Sequence, residues 1–357
     1  MTGAGLGLES IGWDSSWRET AASYDVAGEP GRVSRVDRGL STVLTTVGPV
    51  RASFGGAVLD AMAADSLATP CTGDWCLVRH WCDGPVTIEA VLPRRTAVVR
   101  ADPSRSSRGQ ALAANIDVVG VVAALHPEPN IRRIERLLAL AWESGAEPIV
   151  VLTKADLVSD ADQVAEDVAG AASGLCVLCT STETGAGVDR LRDVVGVRGT
   201  LALIGASGHG KSSLVNALAG ADVLHTTKLR DDGKGRHASV RRELVLLPGS
   251  GAVIDTPGLR SVGLHEVGPG LASTFRDIDD LSRRCRFIDC AHETEPGCAV
   301  LAAVTSGALS VRRLESWHQL RREAAAMAAR SDARRRAEQH KRWKELSKQV
   351  RTSHRRG

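Results

Sequence analysis

From residue 115 onward, short apolar runs alternate with segments in which apolar residues recur every three or four positions. The runs are typical of buried strands, and the longer spacing is typical of amphipathic helices. We therefore expect strands at 118–125, 149–152, 175–178, 201–204, 243–247 and 252–254, and helices at 131–144, 161–172, 188–195 and 213–218. Such alternation builds an α/β domain, in which helices cover both faces of a parallel sheet.

Residues 31–100 show a different pattern, in which short β-type runs are separated by turn residues. The runs lie at 33–36, 42–47, 50–54, 75–80 and 86–91. Five short strands in about 70 residues favour a small OB-like β-barrel, with a small β-sandwich as the alternative. Residues 1–30 are rich in glycine and serine and give only weak helical signals at Trp13 and Trp17, so we expect little order there.

These patterns divide the chain into a weakly ordered segment (1–30), an OB-fold (31–100), an α/β domain (101–280) and an α-helical domain with a cysteine–histidine cluster (281–357). A chain of 357 residues has the length for two or three domains. No apolar run approaches the roughly 20 residues that cross a bilayer, and no signal peptide is evident. We expect a cytoplasmic protein without membrane contact, whose cysteines are thiols or metal ligands.

Charge is distributed unevenly along the chain. Residues 330–357 contain eleven Lys or Arg against three Asp or Glu, a net charge of +8 in a chain of net charge +3. A basic tail on a mildly acidic body favours a polyanionic partner, and nucleic acid bound through its phosphates is the strongest candidate. A solvated basic helix is the alternative.

A glycine-rich segment follows the strand at 201–204 and fits G-x-x-x-x-G-K-[ST] at every position. Between a strand and a helix, the backbone N–H groups of such a loop surround a phosphate. We expect Lys211 to stabilise the β- and γ-phosphates and the Ser212 hydroxyl to bind Mg²⁺. The expected nucleotide-binding residues are Gly205, Ala206, Ser207, Gly208, His209, Gly210, Lys211, Ser212 and Ser213. The alternative is an ordinary glycine-rich turn.

The strand at 149–152 is followed by Thr153-Lys154-Ala155-Asp156, which fits the T/N-K-x-D pattern of GTPases. A carboxylate at Asp156 accepts two hydrogen bonds from guanine, whereas adenine lacks those donors and would leave the charge unpaired. Lys154 can pack along the base, and Thr153 stands where Asn is usual. In most GTPases this pattern follows the phosphate loop, and here it precedes the loop. The order indicates a circularly permuted GTPase domain.

A second base-binding loop is indicated at 181–187. Its sequence resembles the S-A-x-x-G-x-G loop that donates backbone N–H groups to the guanine oxygen, with Ser181 at the first position and Thr182 in place of Ala. A polar turn between a strand and a helix is the alternative.

The segment Asp255-Thr256-Pro257-Gly258 fits the D-x-x-G pattern of GTPases. We expect Asp255 to hold Mg²⁺ through water and the Gly258 N–H to sense the γ-phosphate. Leu259 occupies the position of the usual water-orienting Gln, so we expect slow intrinsic turnover and stimulation by a partner. His265 is a candidate replacement, with an ordinary loop histidine as the alternative. Ser239 is the expected Mg²⁺-sensing hydroxyl of the first switch.

Cys285, Cys290, His292 and Cys298 lie within fourteen residues. Three thiols and one imidazole match a closed structural zinc site. A closed set leaves no position for substrate, so we expect one structural Zn²⁺ rather than a catalytic one.

Taken together, these motifs resemble the ribosome small-subunit-dependent GTPase A family, also called RsgA or YjeQ. The likeness covers about residues 30–305 and includes further matches at 73–75, 92–95, 113–117, 235–237 and 295–298. It implies an OB-fold, a circularly permuted GTPase domain and a zinc domain. It also implies a factor in late maturation of the 30S subunit that binds its 16S rRNA and is stimulated by it. The chain departs from the family at Thr153, Thr182, His209 and 238–240.

We therefore expect a monomeric enzyme that hydrolyses GTP to GDP and phosphate with Mg²⁺. One alternative is an RNA-binding assembly module that senses nucleotide but hydrolyses it weakly, which Leu259 and Ser239 make conceivable. A P-loop ATPase or kinase is a further alternative, and Asp156 argues against it.

Overall fold

The computed structural model describes residues 7–82, 84–101, 109–171, 174–197, 199–224, 242–249, 251–256 and 269–329. Its strands are β1 Glu29–Asp37, β2 Leu40–Thr45, β3 Gly48–Phe54, β4 Trp75–His80, β5 Val86–Val91, β6 Ala97–Ala101, β7 Gly109–Ala114, β8 Val118–Ala124, β9 Glu147–Thr153, β10 Val177–Cys179, β11 Thr200–Gly205, β12 Glu243–Leu246 and β13 Ala252–Asp255. Its α-helices are α1 Ser15–Ala22, α2 Gly56–Ala64, α3 Ile131–Glu143, α4 Ala161–Ala171, α5 Val188–Val195, α6 Lys211–Ala219, α7 Pro269–Thr274, α8 Arg276–Ser282, α9 Ala299–Thr305 and α10, residues 311–329. None of the described helices is both long and apolar enough to cross a membrane.

The first five strands form a closed barrel. They pair in the order β1-β2-β3-β5-β4, and β4 pairs again with β1. Closure removes the exposed edges that a small open sheet would leave. The predicted OB-like barrel is therefore confirmed, and the β-sandwich alternative is wrong.

The N-terminal segment packs against β4 and β5 of the barrel. A 3-10 helix at Leu8–Ile11 precedes α1, and Trp13 and Trp17 are buried against Trp75 with ring centroids 4.9 and 6.2 Å away. We expected little order in residues 1–30, and the structure instead forms helices at 8–11 and 15–22. The tryptophans gave only weak helical signals because their apolar partners lie on the barrel rather than along the helix.

The central sheet follows the strand–helix alternation of the sequence. β10, β9, β8, β11 and β13 pair in that order and are parallel, and β12 pairs antiparallel with β13. One face packs on α3, α4 and the C-terminal helices, and the other packs on α5 and α6. β12 also pairs with β1 through Glu243 and Arg35, which joins the barrel and the central sheet into one continuous sheet.

The pattern did not predict the β6–β7 hairpin or α2. β7 is rich in alanine, a good helix former, and its strand conformation depends on tertiary contacts. The Ala114 N–H donates to the Thr72 carbonyl at 3.0 Å. At Gly73, with φ of +96°, a Cβ would lie 2.1 Å from the Ala114 oxygen, so only glycine permits this approach of barrel and hairpin.

The C-terminal helices are bound to α3 by a buried ion pair. Glu135 of α3 is 1% exposed and lies 3.0 Å from Arg313 of α10, whose guanidinium also contacts Asp277 of α8 at 2.9 Å. Arg313 stacks over Phe275 at 4.5 Å and donates to the Thr274 carbonyl at 2.8 Å. With both charges paired, α3 and α10 are fixed relative to each other.

The packing of the N-terminal segment predicts that Trp17→Ala destabilises the barrel. Trp17 is 3% exposed and Arg95 lies over its ring at 4.0 Å, so truncation leaves a cavity beside Trp75. We expect the free energy of unfolding, measured by chemical denaturation with far-ultraviolet circular dichroism, to fall by about 3 kcal/mol. The control Leu59→Ala, 50% exposed on α2, should change it by less than about 0.5 kcal/mol. Equal effects of the two substitutions would contradict the packing.

Candidate nucleotide-binding site and metal centre

The parallel strands bring the predicted nucleotide-binding loops to one edge of the sheet. Thr153 is the last residue of β9, Ser181 follows β10, the phosphate loop follows β11, and Asp255 is the last residue of β13. Ligands of open α/β sheets bind at the carboxyl ends of parallel strands. Loops that are far apart in the sequence therefore surround one space.

The phosphate loop depends on its glycines. Gly208 and Gly210 have φ of +82° and +80°, a region that L-residues avoid. A Cβ at Gly205 would lie 2.4 Å from the Val122 oxygen of β8. α6 begins at Lys211, so its first N–H groups point into the loop, where they can bind an anion.

Lys211 folds back onto the phosphate loop. Its Nζ donates to the carbonyl oxygens of Gly205 at 3.1 Å and Ala206 at 2.8 Å, and the residue is 6% exposed. Burial lowers the pKa of this ammonium to about 8, and the nearby Arg133 charge lowers it further, against an opposing effect of Asp255. A phosphate in the loop would supply the anion that this buried cation lacks.

Ser212 and Asp255 meet between the phosphate loop and β13. The Ser212 hydroxyl donates to Asp255 Oδ2 at 2.9 Å, and Asp255 is 4% exposed. Its Oδ1 is buried without a hydrogen-bond partner among the described residues. Burial raises the pKa of this carboxyl, while Ser212 and Lys211 lower it. A buried carboxylate with a vacant oxygen beside a hydroxyl is a donor set that suits Mg²⁺.

Thr153 joins the predicted base-reading segment to the phosphate loop. Its hydroxyl donates to the His209 carbonyl at 2.8 Å, so the Thr in place of Asn still makes a contact across the site. The His209 ring turns the other way, with Nδ1 3.4 Å from the Val122 carbonyl. Burial lowers the pKa of His209, the hydrogen bond to Val122 opposes this, and the charges of Arg133, Lys211 and Lys154 lower the pKa further.

The two predicted base-binding loops contact each other. The Ser181 hydroxyl donates to Asp156 Oδ1 at 2.5 Å, and Asp156 remains exposed at the edge of the sheet. Lys154 has φ of +61°, which turns the chain after β9. Gly187 permits the second turn, because a Cβ there would lie 2.0 Å from the Cys179 oxygen. Thr182 is exposed beside Ser181.

The remaining predicted residues differ in how the structure places them. Ala206 is buried in the loop, Ser207 is exposed, and Ser213 lies in the first turn of α6. Ser239, Gly258 and His265 lie outside the described residues, as does Leu259.

Two residues at the site were not singled out from the sequence. The Thr256 hydroxyl is buried and donates to the Leu203 carbonyl of β11 at 2.6 Å, which fixes the chain directly after Asp255. Arg133, near the start of α3, places its charge close enough to lower the pKa of both Lys211 and His209. Both roles depend on neighbouring strands, which the linear pattern does not reveal.

The cysteine–histidine cluster assembles as a compact donor set. The ligand atoms of Cys285, Cys290, His292 and Cys298 all lie within 4.8 Å of one another. His292 Nδ1 is 3.4 Å from the Cys298 sulfur and 3.7 Å from the Cys285 sulfur. A zinc tetrahedron with bonds of about 2.3 Å to sulfur has edges of about 3.8 Å. The residues therefore fit a closed tetrahedral Zn²⁺ site.

Hydrogen bonds to one carboxylate order part of the loop around the cluster. The Glu295 carboxylate accepts backbone N–H groups from residues 291, 293 and 294 at 2.7, 2.9 and 3.0 Å, and these bonds lower its pKa to about 2. Burial and the adjacent thiols of Cys298 and Cys285 raise the pKa of Cys290 to about 11. Thiols this close resist ionisation together, and a bound cation would remove that penalty.

Fold and site together define a circularly permuted P-loop GTPase, flanked by a five-stranded barrel and a Cys₃His metal centre. The family model for the RsgA GTPase matches residues 91–265. The small ribosomal subunit biogenesis GTPase RsgA of Streptomyces coelicolor is 51% identical over 342 residues, 94% of this chain and 92% of the relative. An RsgA protein of Listeria innocua is 37% identical over 97% of both chains. The chain belongs to the RsgA GTPase family.

Solved structures show the same fold. The crystal structure of YjeQ from Thermotoga maritima matches with a TM-score of 0.61 and 24% identity, over 83% of this chain and 98% of that one. YloQ, described as a circularly permuted GTPase, matches with a TM-score of 0.58 and 22% identity, over 85% and 97%.

The donor geometry predicts that Cys290→Ser and His292→Ala each lose the metal. We expect the wild type to carry about one zinc per chain by inductively coupled plasma mass spectrometry, and each variant to carry far less. Cys82→Ser is the matched control, because Cys82 is exposed and outside the cluster. Stoichiometric zinc in the two ligand variants would refute the site.

Proposed function

We propose that this protein hydrolyses GTP to GDP and phosphate during late maturation of the small (30S) ribosomal subunit. It binds the 16S rRNA of that subunit, and the subunit stimulates its GTP hydrolysis. It acts as a monomer in the cytoplasm. The main support is the meeting of Asp156, Lys211, Ser212 and Asp255 at one edge of the sheet, in a chain whose relatives are named small ribosomal subunit biogenesis GTPases.

The nucleotide is held by residues with distinct roles. Backbone N–H groups of 205–213 and the Lys211 ammonium bind the phosphates, and Asp156 accepts hydrogen bonds from the guanine edge. Thr153, Lys154, Ser181 and Thr182 support the base. Ser212 and Asp255, with Ser239 of the first switch, would hold Mg²⁺. When bound, Mg²⁺ neutralises negative charge on the β- and γ-phosphates.

The chain provides charged groups that bind the nucleotide, but it lacks the usual side chain that orients the attacking water. Leu259 has no hydrogen-bonding side chain at the position after Gly258, so intrinsic hydrolysis is slow. Stimulation then requires the ribosomal subunit to supply or order the missing group.

α3 offers a physical route for that stimulation. It begins just after β8, whose Val122 carbonyl contacts His209 of the phosphate loop. Its side chains pair with α10 through Arg132 and Glu315 at 2.6 Å, besides the buried pair of Glu135 and Arg313. The basic tail at 330–357 follows α10 in the sequence. RNA bound by the tail would therefore act through α10 on α3, which borders the nucleotide site.

The cysteine–histidine cluster has a structural role in this function. One Zn²⁺ held by Cys285, Cys290, His292 and Cys298 would fix the loop before α9. Trp317 and His318 of α10 pack against His292, with the two rings of His292 and Trp317 5.3 Å apart. The metal would therefore stabilise the C-terminal helices on which the tail is carried.

This function predicts that purified 30S subunits accelerate GTP turnover more than about tenfold, because they complete a site that lacks a water-orienting group. Phosphate release would be measured with 30S subunits, with 50S subunits as the control particle, and with the variant Lys211→Ala, which should lose turnover in every condition. Binding to 30S subunits without acceleration would contradict the proposal and favour an RNA-binding module that senses nucleotide but hydrolyses it weakly.

A further inference from the structure

Trp81 differs from the other tryptophans of the barrel region. Trp13, Trp17 and Trp75 are at most 6% exposed, whereas Trp81 is 42% exposed. It directly follows β4, at the tight turn into β5. Trp81 belongs to neither of the buried clusters of the barrel, so its ring is presented on the surface.

The Trp81 side chain is held in one orientation although it is exposed. Its Nε1–H donates to the Thr87 hydroxyl at 2.8 Å, and that hydroxyl in turn donates to Glu89. The Arg79 guanidinium lies 3.8 Å from the ring centroid. The backbone is fixed as well, since the Trp81 N–H donates to the Pro85 carbonyl at 3.1 Å. Little conformational entropy remains to be lost when a partner binds the ring.

We propose that Trp81 and Arg79 form a stacking platform for an unpaired base of RNA. The proposal rests on the function proposed above and names the chemistry of one contact. An aromatic ring can stack on any base, and the base must be free of its own helix to reach the ring. Arg79 covers one face of the ring, so the base would stack on the other face, and its positive charge can meet the adjacent phosphate.

The surroundings of Trp81 favour RNA over a protein partner. The side chains that contact the Trp81 ring, Arg79 and Thr87, are polar, whereas the core of a protein interface is apolar. Among the described residues, the two nearby acids each have a partner: Glu29 pairs with His80 at 2.9 Å and Glu89 accepts from Thr87. Asp83, in the same turn, lies outside the described residues. The ring and the guanidinium are thus the groups presented to a ligand.

The test compares the wild type with Trp81→Ala and Trp81→Phe, using the full chain. The probes are a fluorescent twelve-nucleotide oligoadenylate and an abasic strand of the same length, which keeps the phosphates and removes the bases. Leu59→Ala, on the same barrel and 50% exposed, is the matched control. Affinity for purified 30S subunits is measured in parallel.

We expect Trp81→Ala to weaken oligoadenylate binding about tenfold, and Trp81→Phe to stay within about threefold of the wild type, because phenylalanine still stacks. The abasic strand should bind all variants alike. Equal oligoadenylate affinities of wild type and Trp81→Ala, or no measurable oligoadenylate binding by the wild type, would overturn the proposal. Loss of 30S affinity alone would also overturn it and assign Trp81 to a protein contact. If 30S subunits failed to accelerate GTP turnover, the oligonucleotide affinities could still be interpreted. The proposed function and the stacking proposal can therefore be contradicted independently.

Discussion

The parallel pairing of β11 with β8 on one side and β13 on the other is the constraint on which the site depends. Gly205 lies opposite Val122, and Leu203 lies opposite Asp255. These registers, together with the pairing of β8 and β9, bring the phosphate loop, the predicted base-reading segment and the predicted Mg²⁺ carboxylate to one edge of the sheet, whatever their order along the chain. Circular permutation therefore changes the connections and leaves the site intact. The contact from Thr153 to the His209 carbonyl joins the two halves directly.

The same edge holds two buried charges that the protein alone satisfies poorly. Lys211 is paired with backbone carbonyls, and Asp255 keeps one buried oxygen without a partner among the described residues. Burying charge in this way costs stability unless a ligand completes the pairing. A bound metal–nucleotide complex would remove this cost, since its phosphates would pair with Lys211 and its cation with Asp255. The site is thus built for an ionic ligand rather than for stability.

Much of this arrangement could be predicted from the sequence. Apolar runs identified the strands of the barrel and of the central sheet, because those strands are buried and short. The β6–β7 hairpin could not be predicted, because its alanines favour helix and its strand pairing depends on the close approach at Gly73. The order of the N-terminal segment depends on Trp75, 58 positions beyond Trp17, so no local pattern reveals it. Sequence motifs identified the candidate site residues. The contacts of Thr153 and Thr256 could not be predicted, because their partners lie on neighbouring strands or loops.

The claim that Asp156 reads guanine across the permuted halves is tested most directly by changing the base and the side chain together. Xanthine replaces the guanine amino group with a carbonyl, so it fits a side-chain amide that can both donate and accept. Equilibrium affinities of wild type and Asp156→Asn for GDP and xanthosine diphosphate would be measured by calorimetry. We predict that Asp156→Asn binds GDP about 100-fold more weakly and prefers xanthosine diphosphate. Unchanged preference for GDP in Asp156→Asn would contradict the account.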